Sequence, residues 1–165
     1  MTRLETLCQA IQKHEGWAIG TASWRNNNPG NLRYSKFQTG TSASGFAIFP
    51  DYKTGLHALW YDLYLKCTGG SRLKLGPKAT IKDLIYVYAP PYDQNNTDAY
   101  VKAVCDYCGV SATTLLSYFT DDINEKAQAK TPTLTPMQNV QIQISIYQKV
   151  VNIIKQLIDK FKKNE

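Results

Sequence analysis

A single acid at the end of the predicted first helix and the turn-rich polar run after it have the residue types best suited to chemistry. Glu15 precedes Gly16, and residues 25–33 read RNNNPGNLR. A positioned carboxyl group acts as a general acid or base in many enzymes. Asparagine amides both donate and accept hydrogen bonds, which suits sugar hydroxyl and acetamido groups. Asn28 and Asn31 are therefore candidate sugar-binding residues, while a self-bonded turn is the structural alternative for the run.

The first helix must position Glu15. Thr2 and Glu5 have the spacing of a capping box, which predicts a helix start. Apolar residues then recur at helical spacing. They are Leu4, Leu7, Cys8 and Ile11. Glu15 comes four residues after the last of them, so it continues the apolar stripe, and Gly16 is predicted to end the helix. A glutamate on the core side suits general acid catalysis, whereas a solvent-facing glutamate at a frayed helix end is the alternative.

The rest of the pattern predicts a mostly helical α+β domain with one small, early β-hairpin. Residues 32–34 and 45–49 are predicted to form its two arms, around a Gly/Ser/Thr-rich segment at 35–44. Further helices are predicted from capping residues and glycine or proline stops. They begin at Asp51, at Thr80, at Asn96 or Thr97, and at Ser111. The last of these helices is predicted to carry Leu115, Leu116, Phe119 and Ile123.

The C-terminal part of the chain has a different character. Residues 131–136 read TPTLTP, which predicts a stiff linker between a domain at 1–130 and an amphipathic helix at 137–165. Apolar residues beyond the linker follow alternating steps of four and three, as in a heptad seam. They are Val140, Ile144, Tyr147, Val151, Ile154, Ile158 and Phe161. Three roles remain open for this helix: docking on its own domain, homo-oligomerisation or attachment to a partner, and contact with a membrane surface.

Charge and cysteine content limit the classes of partner and cofactor. The net charge is +6, and half of it comes from residues 131–165. This favours an anionic partner such as a cell-wall polymer or a membrane surface; nucleic acid has no support beyond charge and aromatic content, so it is not predicted. Cys8 and Cys67 fall on apolar helical faces and are predicted to be free, buried thiols. Cys105 and Cys108 lack a second pair and a nearby histidine, so no metal site and no cofactor are predicted.

Several of these motifs occur together, in order, in a known family. They are Glu15-Gly16, the run at 25–33, FAIF at 46–49 with Tyr52 and Gly55-Leu56, APP at 89–91, Asn96-Thr97, and Tyr100-Val101. The ordered set, which spans about residues 3–120, resembles lysozyme-like phage virion proteins and related bacterial proteins. These are described as structural proteins or as transglycosylase-type muramidases. The resemblance implies a lysozyme-like fold and cleavage of the β-1,4 bond between N-acetylmuramic acid and N-acetylglucosamine.

The resemblance also implies roles for particular residues. It implies that Glu15 is the catalytic acid and that peptidoglycan glycan strands lie in a groove between the hairpin and the helices. Phe46, Tyr88 and Tyr100 are candidate groove residues, together with the two asparagines. A non-catalytic wall-binding or virion structural protein with the same fold is the alternative.

The second catalytic group is harder to predict. Asp51, Asp93 and Asp98 are weak candidates, since capping or solvent exposure explains each of them. A transglycosylase-type route in which one glutamate serves as acid and then as base is therefore favoured over hydrolysis.

The predicted location follows from the chain's start. No signal peptide is predicted, because the start has no apolar segment. A protein carried in a phage virion or made in the host cytoplasm, acting on periplasmic peptidoglycan, fits this. The C-terminal helix would then attach the protein to a virion partner or to further copies of itself.

Overall fold

The computed structural model describes residues 1–93 and 96–130, and eight helical residues between 141 and 156. The chain divides into two compact units, Met1–Lys126 and Ala127–Glu165. The predicted linker at 131–136 lies outside the described residues, as does most of the predicted amphipathic helix at 137–165. Of its heptad seam, Ile144 and Ile154 are described; both are helical, with 46% and 50% of their surface exposed. The three roles considered for this helix stay predictions.

Six helices and one hairpin lie within residues 1–93 and 96–130. The helices are α1 (Arg3–His14), α2 (Ala22–Arg25), α3 (Tyr52–Thr68), α4 (Ile81–Tyr88), α5 (Thr97–Cys108) and α6 (Tyr118–Lys130). The strands β1 (Gly40–Thr41) and β2 (Ala47–Ile48) pair antiparallel, and a single 3-10 turn, Pro91–Asp93, follows α4. This confirms the mostly helical α+β class with a small hairpin between α2 and α3.

The apolar faces of α1, α3, α4 and α5 form the main core. α1 packs against α3 and α5, and α4 packs against α5. The fully buried side chains include Leu4, Leu7, Ile11, Leu59, Leu63, Ile81, Leu84, Ile85, Val104, Leu116 and Phe119. Burying one such side chain contributes about 1.5–3 kcal/mol relative to exposure. The end of α1, where Glu15 lies, is therefore held on two sides by packed helices.

The predicted helix starts before α1, α3, α4 and α5 are confirmed. Both capping boxes, at Thr2 and at Thr80, have their reciprocal side-chain and backbone hydrogen bonds. Asp51 accepts a hydrogen bond from the Thr54 N–H at 2.7 Å, and Asn96 accepts one from the Ala99 N–H at 3.2 Å. Such caps satisfy N–H groups that have no partner inside the helix. α2, with four residues, is too short to show a periodicity and was not predicted.

The predicted first arm of the hairpin is wrong. The strand that pairs with β2 is Gly40–Thr41, with Gly40 opposite Ile48, and not residues 32–34. Leu32 does approach the second arm, since its carbonyl accepts a hydrogen bond from the Ala47 N–H at 2.8 Å. That contact is an isolated one, because a turn that contains Asn31 at φ 45° precedes it and prevents a regular ladder.

The predicted helix start at Ser111 is also wrong. Thr114 donates its N–H to the Ser111 carbonyl in a turn, and α6 begins only at Tyr118. Between them, Leu115 forms a β-bridge with Thr80, and the Leu116 N–H donates to the Ala79 carbonyl at 2.8 Å. These long-range backbone bonds hold the segment beside the start of α4 as turns on either side of the bridge, and so override the local helical pattern.

We expect Gly55→Ala to lower the free energy of unfolding by at least about 3 kcal/mol. A Cβ at Gly55 would lie 1.7 Å from the Asn27 carbonyl oxygen, so the loop before the hairpin would have to move. Overpacking of this kind typically costs about 1–3 kcal/mol even where flexible side chains give way, and here the neighbour is backbone. Urea unfolding followed by circular dichroism measures the change. Gly40→Ala is the control, because nothing lies within 4 Å of its Cβ position; equal losses in both variants would contradict the prediction.

Candidate active site

Glu15 lies immediately after the last turn of α1, as the spacing predicted. It is the C-cap residue, and its N–H donates to the Ile11 carbonyl at 2.9 Å. Gly16 follows with φ +68°, a left-handed conformation that glycine adopts without strain, and turns the chain away from the helix. The Glu15 side chain is half-buried, so its carboxyl group lies between the core and the solvent.

Two side chains from distant parts of the chain orient the Glu15 carboxyl group. Asn31 Nδ2 donates to Oε2 at 2.9 Å, and the Tyr100 hydroxyl donates to Oε1 at 2.8 Å. Each carboxyl oxygen thus has one fixed donor. Since each oxygen has its own donor, the two hydrogen bonds fix the plane of the group as well as its position.

Local backbone structure explains how Asn31 reaches Glu15. Its φ of 45° is a left-handed value, which asparagine tolerates better than most residues, and its N–H donates to the Asn28 carbonyl at 3.1 Å. Gly30, just before it, lies against α3 and α4, since a Cβ there would be 2.6 Å from Leu59 Cδ1 and 2.8 Å from the Tyr88 hydroxyl. The turn is therefore pressed onto the helices, and this places Asn31 beside the acid.

Tyr100 contacts Glu15 from the side of the core. It lies in the first turns of α5, is 3% exposed, and stacks on the His14 ring with centroids 3.5 Å apart. Burial, and then the neighbouring Glu15 carboxylate, raise the pKa of Tyr100 far above that of an ordinary tyrosine. The phenol therefore stays protonated and remains a hydrogen-bond donor. Burial also lowers the pKa of His14, and the Glu15 charge opposes that effect.

An open cavity of about 520 Å³ lies beside Glu15. Its lining side chains come from the turn and hairpin, from α3, and from the chain around the end of α4. They include Asn31, Arg33 and Phe46 from the first group, Asp62 and Lys66 from the second, and Tyr88, Tyr92 and Asp93 from the third. Aromatic faces, amide groups and charges of both signs therefore surround one side of the acid, as in a polar ligand-binding groove.

Comparison of the chain with protein-family models, with curated proteins and with solved structures gives no match. The lysozyme-like fold and the activity that the sequence resemblance implies are accordingly proposals, taken up below.

Three of the predicted substrate-binding residues line the cavity. Asn31 lies beside Glu15, and Phe46 carries the Arg33 guanidinium over its ring, 4.9 Å from the centroid. The Tyr88 hydroxyl donates to the Gly30 carbonyl, so its ring and not its hydroxyl is available to a ligand. Their roles in binding stay predictions.

The prediction that Asn28 contacts the substrate is corrected by the structure. Asn28 is fully buried, and its amide nitrogen donates to the carbonyls of Leu32 at 2.8 Å and Ala47 at 2.9 Å. Its amide oxygen accepts the Leu32 N–H at 2.9 Å. Both the nitrogen and the oxygen of the amide are therefore hydrogen-bonded to backbone groups, and Asn28 holds the turn against the hairpin. Tyr100 likewise does not line the cavity: it is buried behind Glu15 and orients the acid.

Of the acids considered as second catalytic groups, one lines the cavity and two are hydrogen-bonded elsewhere. Asp51 caps α3, and its hydrogen bonds from Thr54 lower the pKa of its carboxyl group. Asp98 accepts a hydrogen bond from the Tyr86 hydroxyl at 2.7 Å. Asp93 lines the cavity but is exposed. Asp62, which the sequence analysis missed, also lines the cavity; its only signal is the i,i+4 spacing to Lys66, which is common on solvent-facing helix surfaces.

The thiols agree with their prediction. All four cysteines are free, and burial raises the pKa of Cys8 and of Cys67 to about 12, so both stay protonated. Within the described part of the chain, no three His, Cys, Asp or Glu side chains lie close enough together to hold a metal ion. None of the helices described there is both long and apolar enough to span a bilayer.

Proposed function

We propose that this chain is a muramidase with a lysozyme-like domain, which cleaves the β-1,4 bond between N-acetylmuramic acid and N-acetylglucosamine in peptidoglycan. The observation that carries the proposal is the carboxyl group of Glu15, which borders an open cavity and has one fixed hydrogen-bond donor on each oxygen. A carboxyl group held in this way suits proton transfer to a bound glycosidic oxygen. The ordered motifs resemble those of phage and bacterial muramidases, and this resemblance indicates which bond is cut.

Glu15 acts as the acid in the first step. It transfers its proton to the glycosidic oxygen, the bond from that oxygen to C1 of the muramic acid breaks, and the substrate's own N-acetyl group stabilises the positive charge at C1. Tyr100 and Asn31 keep the carboxyl group in one orientation before and after the transfer, since both can donate to the carboxylate that forms. Positioned acid catalysis of this kind contributes about 10²- to 10⁴-fold in rate.

The cavity lining fits the apolar faces and the amide groups of a glycan strand. The Phe46 and Tyr88 rings offer apolar faces beside Asn31, whose amide is suited to acetamido and hydroxyl groups. Two cations, Arg33 and Lys66, and three acids, Glu15, Asp62 and Asp93, line the cavity, so attraction of an anionic polymer comes from the +6 charge of the whole chain. A positive protein gathers an anionic polymer at its surface, which raises the rate of encounter.

The direct test is digestion of purified peptidoglycan by the full chain, with mass spectrometry of the soluble products. We expect muropeptides cut on the C1 side of muramic acid. If the protein sediments with peptidoglycan but releases no muropeptides, the chain is a wall-binding or virion structural protein, and the catalytic proposal is wrong.

We expect Tyr100→Phe to lower kcat by about 10- to 100-fold with little change in KM. The variant removes only the hydroxyl that holds Glu15 Oε1, and hydrogen bonds to charged groups contribute about 1.5–3 kcal/mol. Initial rates on soluble glycan strands measure the effect. Tyr107→Phe is the matched control, because it lies on the same helix and its hydroxyl bonds Gln9 at 3.2 Å, away from Glu15. Equal rates for the two variants would contradict the positioning role.

A further inference from the structure

A second carboxylate, that of Asp62, borders the same cavity as Glu15. Asp62 lies on α3 and Glu15 follows α1, so the two acids come from different elements of the core. The Asp62 side chain is 30% exposed, which leaves it accessible from the cavity. Asp51 and Asp98 are already engaged by the Thr54 N–H and the Tyr86 hydroxyl, and Asp93 is exposed with no hydrogen bond to its carboxylate from the described residues.

An ion pair fixes one oxygen of Asp62 and leaves the other available. Lys66 Nζ contacts Oδ2, while Oδ1 accepts no hydrogen bond from the described residues. The Lys66 side chain is 8% exposed, so the pair is partly desolvated. Such pairs usually contribute little net stability, because the cost of removing the charges from water offsets their attraction.

Tyr88 links Asp62 to Glu15. Its hydroxyl lies against Gly30 in the turn that positions Asn31, and Lys66 Nζ lies 5.6 Å from the centroid of its ring. Burial and then its acidic neighbours, among them both Glu15 and Asp62, raise the pKa of Tyr88 well above its ordinary value. Glu15, Asp62 and Tyr88 all line the same cavity, so the two carboxyl groups and this phenol belong to one site.

We propose that Asp62 is a second catalytic residue, the general base that activates water for attack at C1 of the muramic acid. This rests on the proposed function. Glu15 gives its proton to the leaving oxygen as the C1–O bond breaks, water forms the new C1–O bond, and the proton that this water loses goes to Asp62 Oδ1. Both acids then return to their starting protonation by exchange with solvent. The product has a reducing end, so the reaction is hydrolysis and not the anhydro-forming route that a single acid favours.

Digestion of purified peptidoglycan in H₂¹⁸O tests this with the full chain. We expect the wild type to give reducing muramic acid ends that carry one ¹⁸O at C1. Asp62→Asn is expected to lower kcat at least 100-fold, because asparagine keeps the shape but accepts no proton. The 8%-exposed Lys66 loses its counter-charge in this variant, so the melting temperature is expected to fall, and rates are compared well below it. Asp106→Asn is the matched control: it has the same i,i+4 pairing, with Lys102 at 2.6 Å on the exposed face of α5, and should keep the wild-type rate.

Rescue by an added base separates a catalytic role from a structural one. Asp62→Gly is expected to regain activity in formate, which fits the vacated space and takes the proton from water. Anhydro ends from the wild type, full activity of Asp62→Asn, or absence of rescue by formate would each overturn the assignment of Asp62. These results leave Glu15 untouched, whereas full activity of Glu15→Gln would overturn the proposed function itself.

Discussion

Glu15→Gln is expected to lower the release of muropeptides by about 10²- to 10⁴-fold, the contribution of a positioned general acid. Glutamine has the shape of glutamate but no proton to give to the glycosidic oxygen. The fold should survive, because Glu15 is half-buried and the Tyr100 hydroxyl can still donate to the amide oxygen. Chromatography of soluble muropeptides measures the activity, and circular dichroism and thermal melting check the fold.

Glu5→Gln is the control for this experiment. Glu5 lies in the same helix, and its carboxylate accepts the Thr2 N–H at 2.6 Å in the capping box, a contact that glutamine also makes. We expect it to keep both activity and helix content. If Glu15→Gln digests peptidoglycan as fast as the wild type, Glu15 is not the acid; if both variants fail, the loss reflects damage to α1 and not to chemistry.

The position of Glu15 could be predicted because local rules determine it. A capping box sets the start of α1, the apolar stripe sets its buried face, and Gly16 ends it, so the location of the acid follows from counting. The donors that orient the acid could not be predicted. Asn31 and Tyr100 lie 16 and 85 residues away in sequence, and only the packing of the turn and of α5 brings them together.

The wrong predictions from the sequence share a physical cause, which is that one residue type occurs in several environments. The amide of Asn28 suits a sugar and a peptide backbone equally well, and only burial decides between them. Leu115 fits a helical stripe, yet backbone hydrogen bonds to the start of α4 hold its segment in turns instead of a helix. Asp62 and Lys66 have the spacing of a surface pair, and the contact of Lys66 with the Tyr88 ring, which arises only in the fold, makes them part of the cavity.

Asn28→Ala is expected to lower the free energy of unfolding by about 3–5 kcal/mol. Its amide serves the N–H and carbonyl of Leu32 and the carbonyl of Ala47, and in the variant these buried groups lose that partner. Each unsatisfied buried group costs about 1–3 kcal/mol, and the Leu32 carbonyl keeps its bond from the Ala47 N–H. Urea unfolding followed by tryptophan fluorescence gives the difference.

Asn27→Gly is the matched control, because it removes a neighbouring side chain with a single hydrogen bond, to the Phe49 carbonyl at 3.1 Å. Glycine adopts the φ of 51° at this position readily, so the expected loss is about 1 kcal/mol. A residue that binds sugar would behave in the opposite way, with weaker substrate binding at unchanged stability. Asn28→Ala could instead lower the free energy of unfolding no more than Asn27→Gly and raise KM. In that case the backbone alone holds the turn, and Asn28 is a substrate contact.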